Sequence, residues 1–293
     1  MQKRIYIIGY GDVGARIAPL LVERQVDVFA VARNSKQEIA NEHFHYRKID
    51  LDQCEDGPAI IGDKADIIYL APPPTQGTIE TRFKSFLANL KNNNTIPRRI
   101  VYISATGVYG DCGGEWITEE TPLSPNADRS KRRVDAENQL TAWCKTHNTE
   151  WIILRVAGIY GSGKLPLARL EKGMSVLQED IAPASNRIHI DDLANIVIAA
   201  MDSEFANEIY NVADNNPTTM TDYFTRVAAA YQLPAPLQIS WEEAQKTLSP
   251  QMLSYLSESK KLDTSKLVRQ LKITLRYPDL ASGIDNCLKN TGG

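Results

Sequence analysis

Cysteine is scarce and scattered: Cys54, Cys112, Cys144 and Cys287 form no C-x-x-C pair, and the four histidines offer no pair at metal-ligand spacing. That pattern excludes a disulfide framework and a structural zinc motif, and leaves reduced thiols as the expectation. A basic excess is also missing. With 33 Lys and Arg against 36 Asp and Glu, the formal net charge is −3, and no positive field exists to hold nucleic acid. No apolar run approaches the ~20 residues a membrane-spanning helix needs. The first strand-like run starts within a few residues of Met1, leaving no room for a signal peptide before it. The expectation is a soluble, cytoplasmic chain with neither membrane nor nucleic-acid partner. Solenoid-period repeats and low-complexity tracts are absent as well. What the chain does have is 43% apolar residues, ample for one large domain or two smaller ones.

Its most informative segment comes first. Arg4-Ile5-Tyr6-Ile7-Ile8 reads as a buried strand and runs directly into Gly9-Tyr10-Gly11-Asp12-Val13-Gly14. Val13, Ile17, Leu20 and Leu21 then share one face of a helix. A G-x-G-x-x-G turn is weak by itself, but strand before and helix after supply the context that it requires. Gly9 permits the tight turn, Gly11 lets a pyrophosphate approach the backbone, and Gly14 lets helix and strand pack closely. The first helical N–H groups, around Asp12 and Val13, together with the positive end of the helix dipole, favour a phosphate. Pro19 is read as a kink within that helix, not its end.

The second strand, Asp27–Ala32, tests which dinucleotide fits. An NAD site places a carboxylate on the ribose hydroxyls about 20 residues beyond the glycines. Here that window holds Ala32 and Arg33, with Ser35 and Lys36 behind them. A guanidinium can fork onto a 2′-phosphate that a carboxylate would repel, so the residues favour NADP over NAD. The alternative is that Arg33 merely opens a solvated loop. Tyr46–Asp52 reads as a third strand ending in an acidic turn at Asp50-Leu51, and Asp66–Ala71 as a fourth, buried strand. Pro72-Pro73-Pro74 then stiffens the loop after Ala71, at the carboxyl edge where an open α/β sheet places ligands.

Arg99–Gly110, with its Ser104-Ala105-Thr106-Gly107-Val108-Tyr109-Gly110 ending, resembles the fifth strand and active-site loop of extended short-chain dehydrogenases/reductases, the sugar-nucleotide epimerase/dehydratase family. Glu119–Pro125, Leu154–Gly161, Asn186–Ala194 and Glu208–Ala213 agree with that family in order and spacing. The resemblance implies a doubly wound α/β Rossmann-type parallel sheet with a smaller, mainly helical C-terminal substrate lobe. The implied boundaries are 1–164, completed by 186–213, for the dinucleotide-binding domain, and 165–185 with 214–293 for the lobe. It also implies a Tyr-x-x-x-Lys pair on the helix after the acidic loop, four residues apart on one face. The lysine lowers the tyrosine pKa and holds the nicotinamide ribose, and the tyrosine exchanges a proton with substrate. A serine or threonine from the fifth strand polarises the same oxygen.

Here the chain departs from the family. If Lys131 is the family lysine, the tyrosine position holds Ala127; if Arg133 stands there, it holds Arg129. The pattern resembles atypical members that keep the cofactor site and lose the pair. Ser104 and Thr106 remain to polarise an oxygen. Tyr109 is the candidate proton carrier, with Lys131 or Arg133 to depress its pKa, or else a wall of the substrate pocket. His189 alternates with Ile188 and Ile190 and reads more readily as a structural histidine. Asp111 and Glu115 could touch substrate or be solvated, and Cys112 has no base placed beside it.

Beyond Ala213 the strand-helix alternation ends. Asp191-Asp192 should cap a core helix, Thr219 or Thr221 another, and helical segments are expected around 242–248, 253–259 and, as the last one, 267–272. Arg276-Tyr277-Pro278 is expected to dock on the lobe. Phe83, Phe86, Leu87 and Leu90 could be core, or the four-helix interface of a homodimer. The expectation is an NADP-binding, epimerase- or dehydratase-like oxidoreductase acting on a small-molecule substrate, a nucleotide sugar or similar polar metabolite. The competing expectation is a non-catalytic NADP(H) sensor or scaffold.

Overall fold

The computed structural model describes residues 3–34 and 39–290; Ser35 and Lys36 lie outside them. Among these residues the main strands are β1 Arg4–Ile8, β2 Asp27–Ala32, β3 Phe44–Lys48, β4 Asp66–Tyr69, β5 Arg99–Ala105, β6 Glu150–Val156 and β7 Glu208–Val212. They form one parallel sheet in the order β3-β2-β1-β4-β5-β6-β7. Strand order therefore reverses between β1 and β4, and their carboxyl ends define the crevice where such sheets take ligands. The fold is the doubly wound α/β arrangement.

Alternation along β1 shows why the sheet is covered on both faces. Ile5 and Ile7 enter one core beneath α1 (Asp12–Val22); Tyr6 and Ile8 enter the other. The second core is roofed by α2 (Thr81–Asn92) and α3 (Asp128–His147), whose Phe83, Phe86, Leu87, Leu90, Ala136 and Leu140 pack around Tyr69 and Tyr102. Those α2 side chains are core within a single chain. α4 is Leu167–Glu171, and α5, Ile190–Asp202, lies beside α1 on the first face.

Local chemistry sets the element boundaries. α1 passes through Pro19. The third strand stops at Lys48, because the Asp50 side chain accepts from Asp52 N–H (3.1 Å) and starts a 3₁₀ turn at Leu51–Gln53. α5 is capped by His189, whose Nδ1 accepts from Asp191 N–H (3.2 Å); Asp191 and Asp192 sit in its first turn instead.

After β7 come α6 Met220–Ala230, α7 Trp241–Thr247, α8 Pro250–Leu256, α9 Ser265–Leu271 and α10 Leu280–Asn290. Thr219 caps α6. α6 and α10 share a core with Tyr160 and Leu170, and α7 and α8 share another with Leu177. α9 does not join them: Leu267 and Leu271 return to the sheet core beside β7 and α5. α10 lies beyond what the sequence reading foresaw as the last helix. The Arg276-Tyr277 stretch docks on α5 of the sheet layer, where both N–H groups donate to the Asp192 carboxylate (2.8 and 2.9 Å).

Among the described residues no helix is long and apolar enough to cross a membrane, and no cluster of three potential metal ligands occurs.

Candidate dinucleotide and substrate site

The glycine turn has the geometry its spacing asks for. Gly9 has φ +93°, and a Cβ there would lie 2.4 Å from the Ala71 backbone nitrogen, so β1 and β4 touch through bare backbone. A Cβ on Gly11 would meet nothing within 4 Å, which leaves that backbone open to a ligand. A Cβ on Gly14 would press on Tyr10 and Ile7 at 3.0 and 3.1 Å, the close helix–strand packing expected of the third glycine. Gly11 caps α1 without a side-chain acceptor, so the helix start is left for an anion. A dinucleotide fits this cradle: Gly9, Gly11, Asp12, Val13 and Gly14 would hold its diphosphate. Exposed Asp12 pairs with Lys164 (2.8 Å), and Arg16 with Asp191 (2.6 Å) and the Ser162 carbonyl, which draws the loop after residue 160 toward the turn.

At the adenosine end, Arg33 is exposed at the tip of β2. Arg82, in the first turn of α2, forks onto Asp52 (2.7 and 2.8 Å) and donates to the Pro72 carbonyl. Its hydrogen bonds and charge, with a further contribution from Arg33, hold the Asp52 carboxyl below its ordinary value. Two guanidiniums thus flank one carboxylate beside Asp50, Leu51, Ala71, Pro72 and Pro73. Sequence reading missed Asp52 and Arg82; neither spacing nor motif links a residue after β3 to one nine positions beyond Pro73.

The expected catalytic side chains separate. Ser104 is 2% exposed, and its hydroxyl donates to Glu137 Oε1 (2.6 Å). Arg155 forks onto Glu137 (3.2 and 2.8 Å) and also donates to the Tyr109 hydroxyl (2.9 Å). Tyr109, 1% exposed, donates in turn to Asn211 Oδ1 (2.7 Å). Burial pushes its phenol up to about 12 against the pull of Arg155, so this geometry does not supply the depressed pKa expected of a proton carrier. Ser104 and Tyr109 are members of one buried network bolting β5, α3, β6 and β7 together. Thr106, which opens the 3₁₀ turn Thr106–Tyr109, is half-buried. Lys131 is exposed and pairs with Asp128 (3.5 Å).

The structure distinguishes the two registers on α3. Arg133 donates to the Ile103 carbonyl (2.8 Å) and the Tyr102 hydroxyl (3.1 Å), so its face, shared with Arg129 and Glu137, meets the end of β5. Arg129, four residues before Arg133, lies on that same face. Its guanidinium lies 3.8 Å from the Tyr255 ring centroid and donates to Ser254 Oγ (2.8 Å), spanning from α3 to α8. His189 is fully buried as an α5 cap beside Tyr160 and Tyr277, and desolvation lowers its pKa. Cys112 is half-buried, and burial raises its thiol.

A doubly wound sheet with an open glycine cradle at its switch point defines a dinucleotide-binding α/β protein. Residues 5–213 match the NAD dependent epimerase/dehydratase family, and the chain belongs to that family. Protein YeeZ of Escherichia coli K12 is 25% identical over 292 residues, covering 95% of this chain and 97% of that protein. A functionally unknown conserved protein from Silicibacter pomeroyi DSS superposes with TM-score 0.82 at 26% identity, covering 99% of both chains. The UDP-glucose 4-epimerase of Thermotoga maritima, solved with UDP-glucose, superposes with TM-score 0.76 at 15% identity over 99% of this chain and 100% of its own. That last likeness is one of fold.

Proposed function

We propose that this protein is an NADP(H)-binding, epimerase- or dehydratase-like oxidoreductase whose substrate is a nucleotide sugar or a comparable polar metabolite. The observation that carries the proposal is the glycine cradle, with Gly11 open and Arg33 and Arg82 flanking Asp52 at the adenosine end. The division into a dinucleotide-binding part (1–164 and 186–213) and a substrate lobe (165–185 and 214–293) belongs to the same reading. A bound nicotinamide dinucleotide supplies hydride exchange. The chain's own part is to hold the diphosphate at the α1 N-terminus, the 2′-phosphate on Arg33 with Arg82 neutralising the Asp52 carboxylate beside it, and the adenosine beside Asp50 and Leu51. Thr106 polarises the reacting oxygen. Arg129 and Arg133, permanently charged, stabilise negative charge on it but exchange no proton, so the proton released or taken up with the hydride passes to or from solvent water. Tyr109 and Ser104 fix the wall behind it.

The test is a titration with NADP and NAD of the natural chain and of Arg33→Ala and Arg82→Ala. Each substitution should weaken NADP roughly tenfold to a hundredfold and leave NAD within about twofold, the range expected for a hydrogen bond to a charged group. Equal affinity for both dinucleotides, unaffected by either change, overturns the NADP assignment. Change in cofactor absorbance across a nucleotide-sugar panel tests turnover. The sensor reading draws support from the locking of Ser104 and Tyr109 into the core; silence across that panel with intact NADP binding would favour it.

A further inference from the structure

The loop that follows the short strand Gly158–Tyr160 carries a cation to the start of α1. Gly161-Ser162-Gly163-Lys164 is a tight turn, closed by the Lys164 N–H on the Gly161 carbonyl (2.9 Å). Gly163, third in the turn, has φ +79°, which glycine takes without strain. The root of the turn is fixed. A Cβ on Gly161 would lie 2.7 Å from Ile190 Cγ2, and the Ser162 carbonyl accepts from Arg16 (3.2 Å), itself paired with Asp191 (2.6 Å). Arg16 follows Asp12 by four residues, so both side chains leave α1 on the face that meets this loop. The Lys164 backbone is thus held in place, and its ammonium reaches the Asp12 carboxylate (2.8 Å). Asp12 is 60% exposed and Lys164 27%, so the pair is open to solvent. Asp12 takes one of the three donors of the ammonium, and no second partner for it occurs among the described residues.

An acid in the first turn of α1 suits the empty helix start, where the dipole favours negative charge. It does not suit a filled one. A dinucleotide diphosphate at the open Gly11 would bring further negative charge beside the same carboxylate, and like charges at one helix end repel unless a cation lies between them. We propose that Lys164 is a diphosphate ligand of the bound dinucleotide. It keeps one donor on Asp12 and gives another to a phosphate oxygen, with Asp12 as the positioning residue that holds it there. A lysine suits this task, being a compact point charge with rotatable donors on a flexible stem. An exposed ion pair contributes little to stability, so turning the ammonium toward a ligand costs the fold little. The proposal rests on the reading of Gly9–Gly14 as a dinucleotide cradle, and adds to it a side chain from the loop beyond β6, outside the glycine motif.

Calorimetric titration of the full chain with NADP, NAD and ADP-ribose supplies the test. All three carry the diphosphate, while only NADP carries the 2′-phosphate and ADP-ribose has no nicotinamide. Lys164→Met should weaken all three by a similar factor, roughly tenfold, as expected for a hydrogen bond between charged groups. Without ligand it should melt within about 2 °C of the natural chain, since only an exposed pair is lost. Lys164→Arg, which keeps the charge, should recover most of the affinity. Asp12→Asn made on top of Lys164→Met should regain roughly threefold, because the carboxylate left facing the diphosphate is then gone. A lysine that merely braces the loop predicts no such recovery. A loss confined to NADP would put the cation on the 2′-phosphate, and a loss absent with ADP-ribose would put it at the nicotinamide end; either overturns the proposal. If the natural chain binds none of the three, the cradle reading falls and Lys164 with it. If it binds them and Lys164→Met binds them equally well, only Lys164 falls.

Discussion

Arg155 shows what buried charge does when it is compensated. Its guanidinium is 3% exposed, yet Glu137, Tyr109 and the Glu119 carbonyl take its donors, and Glu137 also receives Ser104. Removing one member leaves the others unpaired in low dielectric. Glu137→Gln should cost about 3–5 kcal/mol in urea unfolding, and Tyr109→Phe about 1–3 kcal/mol, both with NADP affinity unchanged. Loss of cofactor binding at constant stability in Tyr109→Phe would return that phenol to the site. Two other buried acids carry a pH dependence. Burial raises Glu80 and Asp214 to about 7 each from 4.5 and 3.8. Below those ordinary values both states are protonated and nothing is lost. Between them and about 7 the unfolded chain releases protons that the folded chain keeps, so stability falls as pH rises and the loss is complete above about 7. Asp214→Asn and Glu80→Gln should therefore each raise the melting temperature by a few degrees at pH 8 relative to the natural chain, with the gain vanishing below the ordinary carboxylate range. A gain independent of pH would show that the carboxyls do not titrate there.

At the level of the element, the β1 turn separates folding from binding within three residues. Ala at Gly9 meets the Ala71 backbone at 2.4 Å with φ at +93°, so Gly9→Ala should lower the melting temperature sharply. Ala at Gly11 meets no protein atom within 4 Å, so Gly11→Ala should melt within about 2 °C of the natural chain and bind NADP at least tenfold more weakly. Equal loss of stability in both variants would contradict the assignment of Gly11 to a ligand. This turn was legible in the sequence because its constraint is local: strand period, glycine spacing and helix period occupy one continuous stretch. α3 was only half legible. Its existence followed from the family resemblance, but which of Lys131 and Arg133 faces the sheet depends on the helix's rotation over β5, settled by Arg133 reaching the Ile103 carbonyl. The roles of Ser104 and Tyr109 were hidden for the same reason. Glu137, Arg155 and Asn211, which hold them, come from three elements far apart in the chain.

For the molecule as a whole, the C-terminal segment runs back to the sheet at α9 before packing on α6. α9 buries Leu267 and Leu271 beside β7, Arg276 and Tyr277 dock on Asp192, and α10 then packs against α6. Patterning could not show this, since short amphipathic helices such as α9 and α10 name no partner. Along this path α10 packs on Tyr223 of α6, and Arg187 and His189 lead straight into α5. Asp192 is the joint. It is 2% exposed and accepts two backbone N–H groups, so Asp192→Ala leaves both without an acceptor at about 1–3 kcal/mol each, whereas Asp192→Asn keeps one acceptor oxygen. Asp192→Ala should lower the melting temperature and speed proteolytic cleavage between residues 272 and 279. Asp192→Asn should restore part of each. A variant with normal melting and cleavage would mean that the Arg276–Tyr277 contact contributes little, and that Leu267 and Leu271 alone hold this segment on the sheet.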